Sequence, residues 1–123
     1  MLASGAGFSP EQRLHSAPEF GRVFAEPARS TDRYFTVLGR PSGRAVARLG
    51  LTISRRAAKR AVDRNRLKRL AREAFRLRSH LPAWDFVVLA KPGADKADRR
   101  ALRDSLDRHF GRLTHLAATA PNG

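Results

Sequence analysis

The stretch that decides the fold runs from Arg55 to Arg78, RRAAKRAVDRNRLKRLAREAFRLR, 24 residues with eleven Lys or Arg and only two acids, Asp63 and Glu73. At about 100° per residue, Leu67, Leu70, Ala71, Ala74 and Phe75 fall within one arc of roughly 140°. That arc predicts a long helix from about Ala61 to Arg78, held to a core by one face, with Pro82 breaking the chain after it. Lys68, Arg72, Arg76, Arg69 and Arg66 occupy the opposite arc, with Arg64 at its boundary. A solvated helix mixes charges for i,i+4 support, and here only Asp63 and Glu73 are at hand. The face therefore calls for a polyanion. Nine Arg against two Lys favour bidentate phosphate recognition and stacking over point-charge attraction. Asn65, between two arginines, is either a reader of a 2′-hydroxyl or base edge or an ordinary exposed Asn.

Upstream of the basic helix, Tyr34 to Gly39 and Arg48 to Ile53 are rich in β-branched, aromatic and aliphatic residues, with a Pro41-Ser42-Gly43 turn signal between them. They are expected to form an antiparallel pair, with Leu49, Leu51 and Ile53 on one side. Further upstream, Ser16-Ala17-Pro18-Glu19 reads as a capping box that starts a short helix from Ala17 to about Ala25, ended by Pro27. Phe20, Val23 and Phe24 form its apolar stripe. Downstream, Trp84 to Ala90 is a nearly continuous apolar run and predicts a strand covered on both faces. After Lys91-Pro92-Gly93, a last helix is expected from Asp95 to Leu113, with Leu102, Leu106, Phe110 and Leu113 inward. The order is helix, two or three strands, helix, strand, helix, a small α+β sandwich with helices packed on a sheet. Residues 1–12 and 115–123 are expected to be flexible tails around a domain spanning 13–114.

Composition narrows the partner. At 123 residues the chain suits one domain, and a net charge of +14 would repel itself unless a polyanion sits against it. Nucleic acid leads; a membrane partner is not expected, because no apolar run reaches the roughly 18 residues of a spanning helix. Absence of cysteine excludes disulfides and thiolate metal sites and fits a cytoplasmic protein. A protein that hydrolyses phosphodiesters with metals needs clustered carboxylates. The eleven acids are scattered, and His15, His80, His109 and His115 are not placed to act together. No catalytic or metal-binding residue is expected in the protein.

At the basic helix the chain becomes recognisable. Arg55-Arg56 followed by Ala61-Val62-Asp63-Arg64-Asn65-Arg66-Leu67-Lys68-Arg69-Leu70-Ala71-Arg72-Glu73 resembles the signature of the bacterial ribonuclease P protein subunit. The resemblance extends over about 100 residues, through Arg13-Leu14, Phe20, Val23-Phe24, Leu49-Gly50-Leu51 and Asp85-Phe86-Val87-Val88 to the last helix. It implies a sheet of about four strands with three helices in the order α-β-β-β-α-β-α, like the second domain of ribosomal protein S5. It also implies a left-handed βαβ crossover, although such crossovers are right-handed in about 98% of cases.

The family also implies a function: binding a large catalytic RNA and the 5′ leader of precursor tRNA, so that one phosphodiester is cut and mature tRNA 5′ ends result. Arg55, Arg56, Lys59, Arg60, Arg64, Asn65, Arg66, Lys68, Arg69 and Arg72 would then contact the catalytic RNA. Phe20, Phe24, Phe35 and Leu38 would line the leader cleft. Where some members carry a tyrosine facing that cleft this chain has Leu38, so packing rather than stacking is expected there. Relatives often place Gly-Asn before the basic helix, whereas this chain has Ala58-Lys59-Arg60, which shifts contact toward side-chain charge. The protein would hold no cofactor; Mg²⁺ would belong to the RNA, with one protein per catalytic RNA. The alternatives are a non-enzymatic basic protein of ribosomal or RNA-folding type and, less favoured, a DNA-binding protein, which lacks the second helix of a helix-turn-helix.

Overall fold

The structure, a computed structural model, describes residues 10–119. Three α-helices, α1 (Ala17–Ala25), α2 (Ala61–Leu77) and α3 (Arg99–Thr119), pack on strands β1 (Ala28–Thr31), β2 (Phe35–Pro41), β3 (Arg48–Thr52) and β4 (Trp84–Ala90). The strands form a single sheet in the order β1-β2-β4-β3. β1 and β4 run antiparallel to β2, while β3 lies parallel to β4 and is joined to it by α2.

The expected pairing of Tyr34–Gly39 with Arg48–Ile53 is corrected: β4 lies between β2 and β3. Its burial explains why. Asp85, Phe86, Val87 and Val88 are all buried, and a strand apolar on both faces is most stable in the centre, with a neighbour on each edge. The Pro41-Ser42-Gly43 signal therefore opens a loop to β3 rather than a hairpin. β1, four residues reading Ala-Arg-Ser-Thr, carries no apolar alternation and is placed by its pairing with β2.

The sheet separates two apolar layers. On one face Phe35, Val37, Leu49, Phe86 and Val88 meet Leu67, Leu70, Ala74 and Phe75 of α2 and Leu102, Leu106, Phe110 and Leu113 of α3. Edge-to-face contacts join Phe86 to Phe110 at 5.6 Å and Phe75 to both, at 6.3 and 6.1 Å, so one aromatic cluster ties β4 to both long helices. On the other face Leu14, Val23, Leu38 and Val87 make a smaller layer under α1, joined by Phe20 and Leu89.

The helix ends follow their sequence signals at α1 and depart from them at α3. Ser16 Oγ accepts the Glu19 amide at 3.3 Å, and Glu19 Oε1 accepts the Ser16 amide at 3.1 Å, completing the capping box. The last helix does not begin at Asp95. Gly93 turns the chain at φ +91, Ala94–Lys96 form a 3-10 turn, and Asp98 accepts the Ala101 amide at 2.8 Å, so α3 starts at Arg99. It then continues to Thr119, past the boundary expected at 114. Of the tail expected over 1–12, Pro10–Gln12 form a 3-10 turn, and the rest lies outside the described residues.

Candidate RNA interface

α1 is clamped over the sheet by a buried charge cluster. Arg48 on β3 donates to Asp85 on β4 through Nε at 2.7 Å and Nη2 at 2.8 Å, and through Nη1 to Glu19 on α1 at 2.8 Å. Asp85 first, then Glu19, raise the Arg48 pKa against the opposing effect of burial. The His15 amide, the Arg48 guanidinium and the Ser16 amide hold the Glu19 carboxyl down at about 2. The clamp fixes where α1 projects its aromatic stripe.

That stripe borders a partly open sheet face. Opposed residues share a face, so Leu38, Val87 and Gly50 form one row and Thr36, Leu89 and Thr52 the next, with Thr31 opposite Thr36. The first row lies under α1. The second is exposed at Thr31 and Thr52 and half-buried at Thr36 and Leu89, with the Thr31 and Thr36 hydroxyls 2.8 Å apart. This polar floor was missed in the sequence because single threonines on separate strands have no local pattern; only the register aligns them.

Phe20 lies over Gly50 so closely that a Cβ there would come within 2.5 Å of Phe20 Cε1. Beside them is a cavity of about 200 Å³ lined by Arg13, Phe20, Gly50, Leu51, Lys68 and Arg72. The aromatic edge of α1 and the basic face of α2 therefore meet at one place. Phe24, one turn on, is 44% exposed. The other two residues assigned to the cleft by resemblance do not line it, and Leu38 shows the packing expected at its position. Phe35 is 0% exposed and points into the α2–α3 layer, and Leu38, at 3%, is sealed under α1. Neither side chain can touch a nucleotide in this arrangement. Alternation along β2 puts Phe35 and Leu38 on opposite faces, and both faces are covered there.

The basic segment divides into two kinds of arginine. Arg55, Arg56, Lys59, Arg60, Asn65, Arg69 and Arg72 are exposed, and Lys68 is half-buried. Arg64 instead donates through Nη1 to the carbonyls of Ala58 at 3.0 Å and Lys59 at 2.8 Å. Arg66 donates through Nη2 to the carbonyl of Asp95 at 3.0 Å. The two arginines thus brace the loops on either side of the α2 N-terminus, leaving Asn65 exposed between them. Glu73 takes Arg99 and Arg103 of α3 at 2.8 and 3.0 Å, which directs its charge away from the basic face.

The opposite edge of the sheet is pinned to α3. Arg112 donates to Ser30 Oγ at 3.0 Å, leaving that hydroxyl free to donate to His109 Nδ1, 2.6 Å away. His109 Nε2 then carries its proton toward Asp32 Oδ1 at 3.2 Å, without the geometry of a hydrogen bond. Burial pushes the His109 pKa down, against the pull of Asp32. Burial alone would raise Asp32, but the Ser105 hydroxyl and the Phe35 and Tyr34 amides outweigh it and hold the carboxyl well below its usual range. Ser30 and His109 are buried, at 1% exposed each, and their hydrogen bonds tie β1 to α3 as a structural pin. Among the described residues no group of three or more His, Asp or Glu is placed to hold a metal ion, and no helix is long and apolar enough to cross a membrane.

A single α+β domain with a one-sided basic helix and an aromatic-edged open sheet defines a small RNA-binding protein. The ribonuclease P family model matches residues 8–114. Ribonuclease P protein components of Salmonella paratyphi A and Escherichia coli are 46% and 45% identical over 111 residues, covering 89% of this chain and 93% of each relative. The Staphylococcus aureus RNase P protein superposes with a TM-score of 0.77 at 27% identity, over 83% of this chain and 94% of that one. The Thermotoga maritima RNase P protein gives 0.67 at 31%, over 78% and 96%. The chain belongs to the bacterial ribonuclease P protein family, the accessory protein subunit of a tRNA-processing endoribonuclease that works with an RNA partner.

Proposed function

We propose that the two surfaces divide the work of that subunit. The exposed face of α2, with Asn65, Lys68, Arg69 and Arg72, grips the catalytic RNA. The 5′ leader of precursor tRNA lies along the open sheet row, with Phe20 and Phe24 offering ring faces that accept any base. The observation that carries this reading is the meeting of Phe20, Gly50, Lys68 and Arg72 around one cavity, which lets a single strand pass from an aromatic edge to a guanidinium-rich helix.

The protein's contribution is electrostatic and positional. Its cations neutralise repulsion between two RNAs, which matters most at low salt, and Mg²⁺ would be held by the RNA and would supply the hydrolytic chemistry there. One protein serves one catalytic RNA, and the complex works in the cytoplasm. The direct test compares Phe24→Ala with the parent protein in the reconstituted complex. Precursor affinity should fall by about fivefold or more while mature-tRNA affinity stays level, as loss of one base–aromatic stack requires. Equal losses for both RNAs would reject leader contact.

A further inference from the structure

Two cavities lie side by side where α2 begins, sharing Gly93 and Lys96. One, of about 400 Å³, is walled by Arg56, Lys59, Arg60, Asp63, Asp95 and Lys96. The other, of about 450 Å³, is walled by Arg33, Tyr34, Pro92, Lys96 and Ala97. Both include Gly93, which stands between them at φ +91 with nothing within 4 Å of where a Cβ would be. The ridge is therefore bare backbone, open to solvent. Five cations across the two walls face only Asp63 and Asp95, and Asp63 already has Arg60 at 3.9 Å.

At the far end of this strip the Arg33 guanidinium lies over the Tyr34 ring, 5.8 Å from its centre. Tyr34 is half-buried against the main core, so the ring is held in place while part of it stays accessible. A guanidinium stacked on a fixed aromatic ring is a platform for a nucleobase, and lysines and arginines leading to it suit a phosphate backbone. The charge excess selects a polyanion, and the aromatic end selects one with unpaired bases. The strip is continuous with Arg56, Lys59 and Arg60 at the start of α2.

We infer that a single-stranded segment of the catalytic RNA runs from the start of α2 across the Gly93 ridge and stacks a base on the Arg33–Tyr34 pair. The inference rests on the proposed reading that the α2 face grips that RNA, and adds a second contact outside the basic helix.

The test measures affinity of the purified chain for ribonuclease P RNA at one fixed moderate salt concentration. Four proteins are compared with the parent: Arg33→Ala/Lys96→Ala, Tyr34→Leu, Tyr34→Phe and Arg69→Ala. Tyr34→Leu keeps apolar bulk against the core while removing the ring, and Tyr34→Phe keeps the ring; thermal melts confirm folding. Tyr34→Leu and the double variant should each bind about five- to tenfold more weakly, with Tyr34→Phe close to the parent, as loss of a stack or of two phosphate contacts requires. Parental affinity in both, alongside a loss in Arg69→Ala, overturns the strip and leaves the α2 reading intact. A loss in the strip variants with none in Arg69→Ala supports the strip and removes Arg69 alone from the α2 grip. The same proteins are titrated in parallel with precursor tRNA, and weakening confined to that RNA also overturns the inference, because it moves the strip to the substrate.

Discussion

Phe20 of α1 rests on Gly50 of β3 at a distance that leaves no room for a side chain, since a Cβ on Gly50 would sit 2.5 Å from Phe20 Cε1 and 2.9 Å from Leu14 Cδ1. This contact sets the height of α1 above the sheet and joins the aromatic edge to the basic helix. Gly50→Ala should displace Phe20, cost about 1–3 kcal/mol as overpacking does, and weaken precursor tRNA binding more than mature-tRNA binding. Urea denaturation and paired affinity measurements check both parts; unchanged stability would mean that α1 moves freely over the sheet.

Phe35 and Phe24 should behave as opposites despite sharing a residue type. Phe35→Ala removes a fully buried ring and should cost about 3–5 kcal/mol of stability, with the folded fraction still discriminating precursor from mature tRNA. Phe24→Ala should leave the melting temperature within a few degrees of the parent. Loss of precursor discrimination by folded Phe35→Ala would return that residue to the cleft.

Much of this arrangement was legible in the sequence. The apolar arc of α2, the capping box of α1 and the unbroken run of β4 are local patterns, and each produced the element it predicts. The neighbours of β3 were not legible, because its pairing with β4 depends on a crossover through α2 rather than on the adjacent turn. Nor were the roles of Arg64 and Arg66. The carbonyls they brace at Ala58, Lys59 and Asp95 come from loops that only the folded chain brings to the start of α2. Phe35 was placed in the cleft by resemblance alone, and an aromatic on a strand carries no mark of which face is covered. The threonine row became visible only with the strand register.

The Arg48–Asp85 pair should be expensive to break and cheaper to replace. Asp85→Asn leaves a buried guanidinium short of its bidentate partner and should cost about 3–5 kcal/mol, whereas Arg48→Met combined with Asp85→Leu should cost less than the sum of the single changes. A double-mutant cycle by urea denaturation gives the coupling. Additive losses would show that the two charges act independently.

Acid should loosen the pin between β1 and α3. The folded-state pKa of His109 lies below its ordinary 6.5, so the unfolded chain takes up the proton first. The stabilisation is complete above about 6.5 and declines as pH falls through the folded value. Asp32, Arg108, Arg112 and Ser30 are the charged and polar groups facing the ring. Glu19 acts in the same sense lower down, with stability present above its ordinary 4.5 and lost as pH falls toward about 2. The melting temperature should therefore drop as pH falls below about 6.5, and His109→Leu should flatten that drop. An unchanged slope in the variant would place the titration elsewhere.

The central claim is that this chain assists a catalytic RNA by gripping it and the substrate leader together. The most direct measurement is precursor-tRNA cleavage by ribonuclease P RNA at low Mg²⁺, with and without the protein and with the protein alone. The account predicts strong stimulation when both are present, a gain that shrinks as Mg²⁺ and salt rise, and no cleavage by the protein alone. Equal rates with and without protein, or cleavage by the protein in the absence of RNA, would contradict it.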